Sequence, residues 1–198
     1  VSAWRTLGTA VDGLMTAEQV INAGGFDSLV TKQPAFAYVD GKYVEVAGKW
    51  VTGRHKLDGF KPYAVVGEQY HVVQDLEQFK LLDDIRDASD AAYETAGMLD
   101  DGARTFITMK LPKTLEFNGG EDNVELYLFA TNSHDGTQSF TLGITPLRLA
   151  CTNQLTAMVR HAKRVFRFKH TKNMEVRAQE ARTALGLTFT YIDEFQEQ

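Results

Sequence analysis

Asp40-Gly41 sits between two alternating runs, Ala35-Phe-Ala-Tyr-Val39 and Lys42-Tyr-Val-Glu-Val46. An Asp-Gly pair readily takes the two consecutive positive φ angles of a two-residue turn, so the runs are predicted to fold back as antiparallel strands. A sheet begun by a tight hairpin is antiparallel from its first pairing, which limits the architectures open to the rest of the chain. Further strands are predicted at Trp50–His55, Tyr70–Val73, Thr105–Leu111, Val124–Ala130 and Ser139–Ile144, with Asn118-Gly119 and Asp135-Gly136 as turns. Val165–Lys169 reads as extended and alternating.

Helix signals are fewer. Thr16-Ala-Glu-Gln19 has the form of a capping box, and Gly24 and Gly25 end the helix it starts. Asp75-Leu-Glu-Gln78 offers a second start, followed by Leu76, Phe79, Leu82 and Ile85 at helical spacing. Thr152 or Asn153 can cap a helix with Leu155, Met158, Val159 and Ala162 on its buried face. Met174, Ala178, Ala181, Leu185, Phe189, Ile192 and Phe195 predict a long C-terminal helix bent near Gly186. Hairpins followed by blocks of helix predict an α+β fold: an antiparallel, hairpin-rich sheet with helices packed on one face.

The 198 residues, 43% hydrophobic and 24% charged, suit one domain spanning 1–198. There is no apolar run of the about eighteen residues that read as a membrane span, and the N-terminus lacks the residue order of a secretory signal. A lone cysteine, Cys151, makes no intramolecular disulfide and fits a reducing compartment. The expected location is the cytoplasm, with no membrane partner.

The formal net charge of −5 conceals a division. Residues 148–182 hold nine Lys or Arg (Arg148, Arg160, Lys163, Arg164, Arg167, Lys169, Lys172, Arg177 and Arg182) against Glu175 and Glu180, a net of +7. The remainder holds 12 basic and 24 acidic residues, a net of −12. A basic stripe that neutralises phosphates releases condensed counterions, so a locally basic surface can bind nucleic acid on an acidic protein. As a strand, Arg164-Val-Phe-Arg-Phe-Lys-His170 places Arg164, Phe166, Phe168 and His170 on one face and Val165, Arg167 and Lys169 on the other. Cations beside rings suit a single strand with unstacked bases. The plainer reading makes Phe166 and Phe168 core residues and the cations a solvated face, or a complement to the acidic body of a neighbouring subunit.

Catalytic constellations are weak. His134-Asp135 could serve a metal or acid-base chemistry, but His55, His71, His161 and His170 repeat no ligand spacing, and Asp135-Gly136 reads as a hairpin turn with His134 as a turn or surface residue. Cys151 is read as packing rather than as a nucleophile. Gly24-Gly25 and Gly119-Gly120 lack the lysine of a phosphate-binding loop, and Asp83, Asp84, Asp87 and Asp90 read as a solvated helix face. No catalytic residue, metal or cofactor is assigned.

Ala3-Trp-Arg-Thr-Leu-Gly8, Tyr93-Glu-Thr-Ala-Gly97, Asn132-Ser-His-Asp-Gly136, Thr145-Pro-Leu-Arg148, Cys151-Thr-Asn153 and Lys169-His-Thr171, in that order, resemble the phage/plasmid-like protein family. The resemblance covers most of the chain. It implies a protein carried by phages, prophages and plasmids, in a family catalogued as a domain of unknown function, and it supplies no catalytic residues. Small α+β annealing proteins that assemble into rings fit that context by analogy of fold.

Together these readings predict a non-enzymatic, homo-oligomeric single-stranded-DNA-binding protein of the annealing type, with a ring as one form of assembly. Arg148, Arg160, Lys163, Arg164, Arg167, Lys169 and Lys172 would contact phosphates, and Phe166 or Phe168 would stack on bases. The alternative is an interaction module whose basic segment serves self-assembly or an acidic partner.

Overall fold

The structure is a computed structural model that describes residues 8–117, 122–145 and 164–168, with isolated positions at 176, 179, 183 and 186. The elements in chain order are β1 (Thr9–Ala10), α1 (Ala17–Gly24), β2 (Val30–Val39), β3 (Lys42–Lys56), β4 (Gly59–Gly67), α2 (Asp75–Ser89) and β5 (Ala92–Leu99). A single 3-10 turn (Asp100–Gly102) leads to β6 (Arg104–Phe117), β7 (Asp122–Ser133), β8 (Phe140–Thr145) and β9 (Arg164–Phe168).

The α+β expectation is corrected: the fold is mostly β, with 54% of residues in strands, and the defined elements of the described residues make two sheets and two short helices. A six-stranded sheet runs β1-β5-β6-β7-β8-β9 and a three-stranded sheet β2-β3-β4. All pairings are antiparallel, as the hairpin signal required. The balance shifted because strands went unread. β4 carries Pro62, which argues against a central strand but is tolerated on this one because β4 lies at the edge of its sheet. β5 is buried along most of its length, so it lacks the alternation that betrays a half-exposed strand. The helix expected after Thr152 lies outside the described residues; no long C-terminal helix stands among the defined elements, and of the stretch expected to form it only Val176, Gln179, Thr183 and Gly186, each helical, are described. Tyr70–Val73 is a connection into α2, not a strand.

Local signals elsewhere held. Asp40 and Gly41 have φ of 49° and 76° and close the β2–β3 hairpin, with Val39 opposite Lys42. The Thr16–Gln19 capping box is formed in both directions, and Gly25, at φ 75°, ends α1.

Register shows how the core is built. Met109 faces Leu128 and Leu128 faces Ile144; Ile107 faces Ala130, Ala130 faces Leu142, and Leu142 faces Phe166. Directly opposed residues share a face, so these rows form one apolar surface. Phe79, Leu82 and Ile85 of α2 and Val20 and Ile21 of α1 pack into the same cluster. Each of these large side chains contributes roughly 1.5–3 kcal/mol on burial. The opposite face of the central strands, with Phe106, Tyr127 and Phe129, is buried as well.

Candidate functional site

The alternate positions of β7 that build the core face, Leu126, Leu128 and Ala130, continue into Asn132, with His134 just beyond the strand. At that end of the sheet the apolar face becomes polar, and α2 begins directly over it. Asp75 is the first residue of α2, and Gln74, the N-cap, makes no side-chain capping bond. The Asp75 carboxylate is therefore not spent on its own helix. Its Oδ1 accepts from the Thr105 hydroxyl at 2.6 Å and from Asn132 Nδ2 at 3.0 Å. Its Oδ2 accepts from Arg54 Nη2 at 2.7 Å, and His134 Nε2 lies 3.1 Å from both oxygens.

Arg54 reaches this cluster from β3 of the other sheet. Its Nη1 donates to the carbonyls of Phe26 and Ser28 at 2.9 and 2.7 Å. The five side chains thus join α2, the small sheet and the large sheet through one carboxylate. Burial alone would raise the Asp75 pKa. The His134 ring and the Arg54 guanidinium, by charge and by hydrogen bond, more than offset it and hold the carboxyl well below the usual carboxylate range.

The donors around Asp75 engage both oxygens of its carboxylate, and the cluster is deeply buried. Arg54, Asp75 and His134 are 1%, 4% and 1% exposed. A cleft of about 380 Å³ between α1 and the start of α2 touches Asp75, with Ile21, Phe26, Leu29 and Leu76 among its walls. Both oxygens of Asp75 are already occupied, and the other carboxylates on the walls of the cleft are those of Glu18 and Asp27. Among the described residues, no group of three or more His, Cys, Asp or Glu converges to hold a metal. The arrangement is a clasp between sheets.

The surface placement expected for His134 is therefore corrected. The ring is buried because it continues the core-facing row of β7, while its Nδ1 has no partner among the described residues. Asp135 does serve the turn: its carboxylate accepts from Ser133 Oγ at 2.5 Å and from the Thr137 amide at 2.9 Å. Gly136 follows at φ 74°. Asp83, read as part of a solvated acidic face, accepts from the Ala17 amide and the Tyr93 hydroxyl, both at 2.8 Å, and so ties α2 to α1 and β5.

Of the basic segment, Arg164, Phe166, Arg167 and Phe168 lie on β9, the last strand in the order of the large sheet. Its pairing sets Arg164, Phe166 and Phe168 opposite Ile144, Leu142 and Phe140, and Arg167 opposite Thr141. Phe166 is half-buried against the core, and Arg167 is exposed. Arg148, Arg160, Lys163, Lys169 and Lys172 lie outside the described residues, as does Cys151. No helix among the described residues is long and apolar enough to cross a membrane.

A two-sheet, mostly β protein with antiparallel pairing, fastened by a buried carboxylate, is the class that fold and clasp define. The chain belongs to the family described as domain of unknown function DUF932, which matches residues 62–198, more than half of its length. The match begins within β4, so β1 to β3 precede it. No curated protein and no solved structure matches the chain.

Proposed function

We propose that this protein binds single-stranded DNA as a homo-oligomer, assisting annealing without nucleotide hydrolysis, in a phage or other mobile element. The observation that carries the reading is the segregation of charge, +7 within residues 148–182 and −12 in the remainder. Such a segment neutralises several phosphates at once, and the release of their counterions drives binding. Arg164 and Arg167 on β9 belong to this track, and Arg167 is open to solvent. Arg148, Arg160, Lys163, Lys169 and Lys172 extend it in sequence.

The rings carry less of the proposal than the cations do. Phe166 packs against the core, so the binding role rests on phosphate contacts. A second reading, an interaction module, draws on the exposed apolar surface of the β2–β3 hairpin.

Binding of the full chain to a fluorescent single-stranded oligonucleotide and to its duplex, over a salt series, tests the reading. The comparison is a variant with Lys163, Arg164 and Arg167 all changed to Ala. Preferential single-strand binding with a steep salt dependence, lost in a folded variant, is the expected result. Absence of binding at low salt by the assembled protein overturns it.

A further inference from the structure

β4 accompanies β3 only as far as the pair Gly67–Lys49, whereas β2 and β3 run on together to the turn at Asp40-Gly41. The last stretch is a two-stranded arm. It leaves the sheet at an irregularity where β3 holds four residues, 46 to 49, against the single Ala35 of β2, with Gly48 at φ 69°. Along Lys42–Gly48 the backbone edge turned away from β2 has no strand neighbour among the described residues.

Its side chains are those of an interior. Tyr38 and Tyr43 face each other across the strands with ring centroids 5.0 Å apart, yet are 67% and 77% exposed. Phe36, one alternation further down, lies on their face and is exposed too. Val39 and Val44 are exposed on the other face, and Val46 lies near the arm's base. A two-stranded ribbon is marginal by itself in water, and one that is apolar on both faces has no face suited to solvent.

The charge of the arm chooses among occupants. Asp40 and Glu45 balance Lys42 and Lys49, so the arm offers a polyanion no net attraction. A neutral, apolar ribbon with an open edge is complementary to a copy of itself, because strand addition satisfies the edge of both. At these exposures three rings of roughly 200 Å² each present about 400 Å² per chain. Edge pairing of two arms sets these rings side by side across the new strand junction, so each copy covers part of the other's exposed apolar surface.

We infer that the β2–β3 arm is the docking surface for a second copy of this chain, arm against arm. The inference names the contact for the oligomer in the reading above and is independent of DNA. It is tested by the mass of the full chain in solution, from sedimentation or light scattering, for wild type and for a Tyr38→Ser, Tyr43→Ser double variant. Cross-linking of Val44→Cys in a Cys151→Ser background is followed alongside. The expected result is an assembly that falls to the monomer mass in the double variant with its melting temperature little changed, and disulfide-linked dimers from Val44→Cys on mild oxidation. A double variant that keeps the wild-type mass, or an oligomeric Val44→Cys protein that does not cross-link, overturns the arm while leaving the oligomer standing. A monomeric wild type overturns both. Single-strand binding that survives in a monomeric double variant shows that the DNA reading stands apart from the arm.

Discussion

Arg54 and Asp75 meet at 2.7 Å with side chains 1% and 3% exposed, and they come from different sheets' surroundings: β3 on one side, the first turn of α2 on the other. Taking both charges out of water is costly, and the geometry offsets that cost by saturating the carboxylate with further donors. Breaking such a pair from one side leaves an uncompensated charge in the interior.

Asp75→Asn is therefore expected to destabilise the fold by about 3–5 kcal/mol, more than an average core substitution. Arg54→Met, which leaves the carboxylate with Thr105, Asn132 and His134, should cost less. Urea unfolding of the two variants against wild type checks the order; equal, small losses would contradict the clasp.

The same group sets an acid limit. The Asp75 pKa is lowered in the folded state, so the unfolded chain takes up the proton first as pH falls. Its contribution is fully present above the ordinary carboxylate pKa of about 3.9 and is lost as pH falls below it toward the folded-state value. Denaturation midpoints of wild type should fall over that window, and those of Asp75→Asn should fall less.

His134→Ala is expected to act on stability, because the ring is buried against Asp75 and is 1% exposed. A loss of about 2–3 kcal/mol is expected. Divalent-metal-dependent DNA cleavage by wild type that disappears in a stable His134→Ala protein would show the site to be catalytic instead.

At Gly53 an added Cβ would lie 2.4 Å from the carbonyl oxygen of Lys61 and 2.4 Å from the Phe60 ring. Backbone cannot yield as a side chain can, so Gly53→Ala should open the β3–β4 pairing at its bulge. Faster amide exchange in β4, with β6 and β7 still protected, is the outcome to look for.

Thr16→Ala removes half of the capping box and is expected to cost about 1 kcal/mol. Gln19→Ala in the same background should add little, since the pair acts as a unit.

What could be read from sequence was what local chemistry decides. The Asp40-Gly41 turn, the Thr16 cap and the stripe of α2 each depend on residues a few positions apart, and each was legible. β4 was missed because Pro62 is acceptable only at a sheet edge, and edge position is a property of the whole sheet. β5 was missed because burial along the strand erased its alternation. The clasp draws on positions 54, 75, 105, 132 and 134, and no local window contains them. One sign was present: a core-facing row of apolar residues in β7 passing into Asn132 and His134, polar groups that must find partners once buried.

Val30 shows how growth of the small sheet is limited. Its amide donates to Gln74 Oε1 at 3.1 Å, and its carbonyl accepts from Gln74 Nε2 at 2.7 Å. One side-chain amide thus fills the place that the backbone of an incoming strand would take at the root of β2. An incoming strand is blocked at that end, so docking of a second copy on the far tip, as proposed, would not seed an endless ribbon along the whole edge.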